Sequence, residues 1–144
     1  MLEEAIALAV ENVKSGGGPF GAVVVLSNGK TYSGVNRVTA NNDPTAHAEV
    51  QAIRNACAGE NTFDLTGATL YTSCEPCPMC LGATLWARIE TIVYAADRYD
   101  AADAGFDDAE FYKILENPPI EKVVTSNRLN PFDEWKSKSN RTEY

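Results

Sequence analysis

Three side chains in two short motifs can bind a metal ion, and a fourth can move protons beside it. The first motif, H-A-E at residues 47–49, contains the only histidine of the chain, and the second is P-C-P-M-C at residues 76–80. We expect Cys77 and Cys80, three residues apart at a helix start, to project both sulfurs from one face. Positive partial charge at a helix start favours thiolates, which select zinc or iron–sulfur clusters. Two thiolates and the His47 imidazole leave one zinc position open, which is typical of catalytic zinc sites.

Two other kinds of site use the same residues. Cys74 lies three residues before Cys77, so His47 and three cysteines could close a structural zinc site. Cys77 and Cys80 alone could form a redox dithiol. The proline before Cys77 restricts the residue before it to extended conformations, which places Cys74 outside the helix. A closed structural site would also leave Glu49 without a task, so we favour the catalytic site.

The spacing of His47 and Glu49 restricts how both side chains can reach one metal ion. Two residues span about 200° of a helix, so their side chains do not share a helix face. Both can address one metal ion only if the cavity wraps around the end of the helix. A solvated glutamate and a lone core or surface histidine are the ordinary interpretations of such residues, and the combined motifs favour the metal site over both.

The composition predicts a single domain over residues 1–144 and restricts its partners. Hydrophobic residues make up 44% and charged residues 22% of the chain, which allows a packed core. The net charge of −8 disfavours nucleic-acid binding, which depends on lysine and arginine. The first five residues do not resemble a targeting signal, and no stretch reaches the roughly 20 apolar residues of a membrane span. With clustered cysteines indicating metal or redox chemistry, we expect a cytoplasmic protein without a membrane partner.

Alternating helices and strands must bring the two motifs together. Hydrophobic periodicity and turn residues predict the element order α-β-β-α-β-α-β-α-β-α. Residues suited to helix starts accompany each motif, namely Asp43-Pro44 and Pro76. The predicted strands are residues 22–26, 31–35, 68–72, 91–95 and 123–125. The first two form an antiparallel hairpin and the later crossovers are parallel, so we expect an α/β fold: a three-layer α/β/α sandwich with a mixed five-stranded sheet.

The two motifs resemble the H-x-E…P-C-x-x-C signature of the cytidine deaminase-like superfamily. Within that superfamily, nearly the whole chain is similar to the bacterial guanine deaminases. The zinc motif is specific for the superfamily, and the segments around Gly105 and Tyr144 narrow the resemblance to this family. The segments that carry it are residues 18–25, 42–50, 71–83, 86–88, 104–108 and 143–144.

The resemblance implies a role for each residue of the site. One zinc ion per subunit is held by His47, Cys77 and Cys80, and Cys74 is not a ligand. Glu49 is the catalytic proton shuttle, and Asp108 is a second proton-handling carboxylate. The implied substrate-binding residues are Phe20, which stacks on the purine, Asn36, which hydrogen-bonds it, Ala48, Trp86 and Tyr144. The family also forms homodimers that exchange a C-terminal segment, which corresponds to about residues 126–144.

The resemblance further implies hydrolysis of guanine, a small-molecule purine substrate, to xanthine and ammonia. Guanosine deamination is an alternative activity, since the ribose of guanosine needs only extra room in the binding site. A tRNA adenosine or cytosine deaminase shares the zinc motif, but the net charge of −8 argues against a tRNA substrate. A structural zinc module is the alternative from another class, and the position of Cys74 distinguishes it from an enzyme.

Overall fold

A mixed four-stranded sheet lies between helices in the structure, a computed structural model that describes residues 1–143. The strands are β1 (Gly21–Val25), β2 (Thr31–Val35), β3 (Thr69–Cys74) and β4 (Thr91–Ala96). The helices are α1 (Leu2–Lys14), α2 (Val38–Asn41), α3 (Ala48–Glu60), α4 (Pro78–Trp86), α5 (Arg98–Asp103), α6 (Asp108–Ile114) and α7 (Asn130–Ser137). The strand order is β2-β1-β3-β4, in which β1 is antiparallel to both neighbours and β3 is parallel to β4.

Two glycines let helices pack closely against opposite faces of this sheet. Gly34 pairs with Ala22, and a Cβ atom at Gly34 would overlap the carbonyl oxygen of Ala48 in α3. A Cβ atom at Gly21, the preceding residue of β1, would instead overlap the carbonyl oxygen of Ala5 in α1. Because successive residues of a strand point to opposite faces, α1 and α3 cover opposite faces of the sheet. The predicted α/β sandwich with a mixed sheet is confirmed.

The main hydrophobic core lies between α3 and the sheet. Ala48, Ala52 and Ala56 recur along α3 with no exposed surface, so the helix approaches the strands closely. Val24 and Leu70 contribute fully buried side chains to the same cluster. Truncating such a leucine to alanine costs about 2–5 kcal/mol. This packing fixes the position of α3, whose first residues belong to the H-A-E motif.

Both motif helices begin later than the sequence predicts. α3 begins at Ala48, four residues after the expected start, because Asp43 Oδ1 accepts a hydrogen bond from Thr45 N at 2.8 Å and holds a turn there. α4 begins at Pro78, two residues after the expected start, with Cys77 as its N-cap residue. Each delay leaves a motif residue just outside its helix.

The prediction of a fifth strand at residues 123–125 is wrong. Val123 and Val124 are 71% and 66% exposed, and within residues 1–143 no strand follows β4. β-branched residues favour extended backbone, but a strand also needs an edge with which to pair. From residue 119 to residue 143 every residue is exposed, including those of α7. No helix of the described chain is long and apolar enough to cross a membrane.

Candidate active site

The candidate site lies where three elements end. β3 ends at Cys74, and α3 and α4 begin immediately after His47 and Cys77. His47 and Cys77 are the N-cap residues of these helices, and both have extended backbone, with ψ of 156° and 167°. Because their side chains belong to one cluster, two helix N-termini with unpaired N–H groups and partial positive charge converge on it.

His47, Cys77 and Cys80 place their ligand atoms at the corners of a nearly equilateral triangle. Each Sγ atom is 3.6 Å from His47 Nδ1, and the two Sγ atoms are 3.6 Å apart. The centre of such a triangle is about 2.1 Å from each corner, close to the zinc–nitrogen and zinc–sulfur distances of about 2.0–2.3 Å. Cys80 is fully buried and Cys77 is 5% exposed. The three residues therefore fit one zinc ion.

The charge of Cys77 also suits a cation. A hydrogen bond from Cys80, with a smaller contribution from one with His47, holds the pKa of the Cys77 thiol well below its usual range against the opposing effect of burial. The N-terminus of α4 adds partial positive charge that favours the thiolate form. Both effects favour the form of Cys77 that binds zinc.

Cys74 does not belong to the metal cluster of residues 1–143. Its Sγ donates a hydrogen bond to the carbonyl oxygen of Asp97 at 3.5 Å, in the turn after β4. Burial raises the pKa of this thiol to about 12, so it stays protonated. The described residues thus offer three protein ligands and not four, which is the number typical of a catalytic zinc site.

Glu49 lies beside the cluster with its carboxylate shielded from solvent. It is the second residue of α3, is 5% exposed, and accepts a hydrogen bond from Thr72 Oγ1 at 3.3 Å. Burial, with the charge of nearby Cys77 as a smaller cause, raises the pKa of Glu49 to about 6. A carboxyl group with such a pKa can accept and return a proton near neutral pH. Because the backbone of His47 is extended and lies outside α3, the side chains of His47 and Glu49 are not held about 200° apart, as they would be within a helix.

A second carboxylate approaches the site from α6. Asp108 is the first residue of this helix and is half-buried. Burial raises the pKa of Asp108, and the charges of Cys77 and His47 also act on it, so its carboxylate lies within electrostatic range of the metal ligands. Asp107 occupies the N-cap position, but its side chain makes no capping hydrogen bond to the described residues. The structure therefore brings Asp108 to the predicted site.

Phe20 and Asn36 are adjacent, which the sequence could not establish. The backbone N–H of Asn36 donates to the carbonyl oxygen of Phe20 at 3.1 Å. The ring of Phe20 meets that of Phe106 edge to face, with centroids 4.8 Å apart, in the loop before α6. These two predicted substrate-binding residues are thus neighbours next to the loop that leads to Asp108, and we call the pair the Phe20–Asn36 wall.

Asn12 is a residue of this region that the sequence reasoning missed. It is 5% exposed, and its Nδ2 donates hydrogen bonds to the carbonyl oxygens of Gly18 at 2.8 Å and Asn36 at 2.9 Å. It follows Ala5 and Ala9 on the buried face of α1. Its position in line with the buried alanines of α1, just before a glycine-rich loop, is the sequence pattern that could have identified it. Asn12 fastens that loop to the end of β2.

The structure locates two of the three remaining predicted substrate-binding residues, Ala48 and Trp86. Ala48 is fully buried as the first residue of α3. Trp86 is 63% exposed at the far end of α4, where it borders a groove lined by α7. Tyr144 lies outside the described residues. An apolar cavity of about 260 Å³ lies beside His47 and Cys77 and is bordered by α6.

Known proteins resemble this chain over most or all of its length. Residues 1–96 match the family described as the cytidine and deoxycytidylate deaminase zinc-binding region. The guanine deaminase of Bacillus subtilis (strain 168) is 49% identical over 99% of this chain and 96% of its own length, and a B. subtilis guanine deaminase crystal structure covers the same shares with a TM-score of 0.94. A guanine deaminase structure from Nitrosomonas europaea is 32% identical, has a TM-score of 0.70, and covers 80% of this chain and 69% of that one. A tRNA-specific adenosine deaminase of Buchnera aphidicola is 36% identical over 93% of this chain and 86% of that protein.

Proposed function

Because this chain belongs to the cytidine and deoxycytidylate deaminase zinc-binding family, we propose that it is a zinc-dependent enzyme that hydrolyses guanine to xanthine and ammonia. The observation that carries the proposal is the three-ligand metal cluster with the buried carboxylate of Glu49 beside it. Similarity to guanine deaminase along 99% of the chain supports guanine as the substrate. The net charge of −8 disfavours a tRNA substrate.

His47, Cys77 and Cys80 would hold the zinc ion. When bound, zinc supplies a water molecule whose pKa falls to roughly 7, so that a strong nucleophile exists at neutral pH. His47 directs Nδ1 into the cluster, so with zinc bound there the ring proton would be on Nε2. Burial of both sulfurs keeps bulk water away from the thiolates.

Glu49 is the proton carrier in this mechanism. It takes a proton from the attacking water and gives it to a ring nitrogen of guanine, while the water oxygen bonds to C2. With a pKa of about 6, Glu49 is mainly a carboxylate at neutral pH, as a base must be. Thr72 Oγ1 donates to Glu49 Oε1 at 3.3 Å and so helps to hold the carboxylate beside the cluster.

Asp108 is assigned to the leaving amine. The amine nitrogen takes up a proton as it leaves C2 as ammonia, and the new hydroxyl group on C2 gives up a proton as the carbonyl of xanthine forms. Asp108, a second partly buried carboxyl group beside the cluster, would carry this proton to the amine. Phe20 stacks on the purine ring, and Asn36 offers its side-chain amide to the base. Their adjacency through the 3.1 Å backbone hydrogen bond supports a common binding wall.

We also propose that the single deaminase domain, residues 1–144, forms a homodimer that exchanges the C-terminal segment from about residue 126. That segment is exposed throughout residues 126–143, and its Phe132 is 61% exposed. An open apolar groove of about 320 Å³ lies between α1 and the sheet, where Val10 and Val13 are 51% and 50% exposed. The same segment of a second copy is an apolar occupant for this groove.

Truncation before residue 126 tests the exchanged dimer. We expect light scattering to give a dimer for the full chain and a monomer for the truncated chain, because the segment supplies the shared apolar contacts. A truncated chain that stays dimeric would contradict the exchange.

We place the enzyme in the cytoplasm. All four cysteines are free of disulfide bonds, and Cys74, Cys77 and Cys80 are buried. Thiols persist in reducing compartments and oxidise in secretory ones. Fractionation of the source cells checks this assignment.

An ammonia-release assay tests the proposed function. The protein is assayed on guanine, guanosine, adenine, cytosine and tRNA, with and without a chelator, and we expect chelator-sensitive activity on guanine that zinc restores. Glu49→Gln should keep one zinc per chain and lose at least about 10²-fold in kcat. Glu116→Gln, which changes an exposed glutamate, should leave both unchanged. Turnover of guanosine or tRNA but not guanine would assign a different substrate, and near-normal kcat in Glu49→Gln would refute the mechanism.

A further inference from the structure

An ion pair fastens the loop between β3 and α4 to the start of α5. Arg98 Nη2 donates to Glu75 Oε1 at 2.5 Å, and Arg98 Nε and backbone N both donate to Glu75 Oε2 at 3.0 Å. The two side chains are 14% and 27% exposed for Glu75 and Arg98 respectively. Three hydrogen bonds in a largely shielded pair hold the loop that leads into the metal ligand Cys77.

Tyr112 joins α6 to the same loop. Its ring lies against the guanidinium of Arg98, whose central carbon is 3.5 Å from the ring centroid. Its hydroxyl donates a hydrogen bond to the carbonyl oxygen of Pro76 at 2.7 Å. Pro76 directly precedes Cys77, so one side chain ties α6 to the metal-binding loop.

Asp108 shares a face of α6 with Tyr112. The two residues are four apart, so they are neighbours on the helix surface. α6 packs against α4 and α5, yet none of its residues is fully buried and no side chain of the described chain caps its N-terminus. Its large apolar residues Phe111 and Ile114 are 49% and 42% exposed. The helix therefore gains little from apolar burial, and the contacts of Tyr112 are its main polar tie to the site.

We infer that Tyr112, held by Arg98 and by the carbonyl oxygen of Pro76, is a positioning residue that keeps Asp108 at the active site. The inference rests on the proposed function, in which Asp108 serves the leaving amine. Tyr112 contacts Arg98 and the loop backbone, and it shares α6 with Asp108. We therefore expect its effect on the reaction to pass through the position of Asp108. The hydrogen bond and the ring contact can be separated, because phenylalanine retains the second and lacks the first.

Tyr112→Phe is the main test. Loss of one hydrogen bond changes an equilibrium by about threefold to tenfold. We therefore expect kcat on guanine to fall by about that factor, with zinc at one per chain and KM changed by less than about twofold. Tyr99→Phe is the matched control, since Tyr99 is 70% exposed and its hydroxyl has no hydrogen-bond partner among residues 1–143. Arg98→Lys, which keeps the charge but loses the two-point contact, should lower kcat in the same way.

A double-mutant cycle separates positioning from general destabilisation. In an Asp108→Asn background, Tyr112→Phe should cause no further loss of kcat, because its effect acts through Asp108. Hydrogen–deuterium exchange of residues 106–115 is a readout that needs no substrate, and it should be about threefold to tenfold faster in Tyr112→Phe than in the unaltered protein.

The outcomes are distinct. Equal losses of kcat in both backgrounds, unchanged exchange of residues 106–115, or loss of zinc from Tyr112→Phe would each overturn the inference. Failure of the unaltered protein to deaminate guanine would overturn the proposed function instead, and the exchange comparison would still decide whether Tyr112 holds α6.

Discussion

Asn12→Ala tests how the fold holds the Phe20–Asn36 wall. The buried amide of Asn12 donates one hydrogen bond to the carbonyl oxygen of Gly18 at 2.8 Å and another to that of Asn36 at 2.9 Å. Alanine removes both donors and leaves two carbonyl oxygens without them. We expect lower stability and a higher KM for guanine, with zinc content unchanged, because Asn12 contacts the wall and not the metal ligands.

The magnitude follows from the two hydrogen bonds. At about 1 kcal/mol each, plus part of the cost of unsatisfied carbonyl groups, the loss is about 2–3 kcal/mol. For a chain of this size that corresponds to a fall in Tm of roughly 6–10 °C. If half of this free energy acts on the wall, the equilibrium constant for the binding geometry of Phe20 and Asn36 falls about tenfold. KM then rises by up to that factor.

Three measurements on the same preparation decide the outcome. Thermal unfolding gives Tm, steady-state kinetics on guanine gives KM and kcat, and elemental analysis gives zinc per chain. Asn41→Ala is the control, since Asn41 is exposed on α2 and makes the same change of residue type. A destabilised Asn12→Ala protein with unchanged KM would refute the reasoning that Asn12 positions the wall. Loss of zinc would show that the damage spreads to α3 and α4.

Two further predictions concern the loop before α4. Cys74→Ala should keep one zinc per chain after dialysis and Cys80→Ala should lose it, because of these two cysteines only Cys80 belongs to the metal cluster of the described residues. Loss of zinc from Cys74→Ala would favour a closed structural site. Arg98 holds the pKa of Glu75 below its ordinary 4.5, so this ion pair stabilises the fold above that pH and the contribution is lost as pH falls through the lower folded-state pKa. Glu75→Gln should therefore flatten the pH dependence of the unfolding free energy below about pH 5, measured by urea unfolding, and an unchanged pH dependence would contradict this.

The metal ligands could be predicted because the evidence for them is local. The chain has one histidine, and Cys77 and Cys80 are spaced so that a helix start presents both sulfurs together. Thiolate and imidazole groups have few structural uses in that arrangement. In the structure, His47, Cys77 and Cys80 lie together in a cluster that fits one zinc ion.

The surroundings of the cluster depended on contacts between distant segments. The spacing of the cysteines left Cys74 ambiguous, and its hydrogen bond to Asp97 decides its direction. On a regular helix, the two-residue spacing would direct the side chains of His47 and Glu49 to different faces. The extended backbone of His47 lets both side chains lie at one site. The raised pKa of Glu49 depends on burial that no local pattern reveals.

The sequence by itself determined which atoms can bind zinc and where the four strands and the longer helices lie. The tertiary structure decided that Asn12 joins a loop to β2, that residues 123–125 pair with no strand, and that Tyr112 ties α6 to the metal-binding loop. The physical reason is that side-chain chemistry and helical or strand periodicity are properties of a few consecutive residues. Burial, hydrogen-bond partners and strand pairing depend on which distant residues meet, and they exist only once the chain has folded.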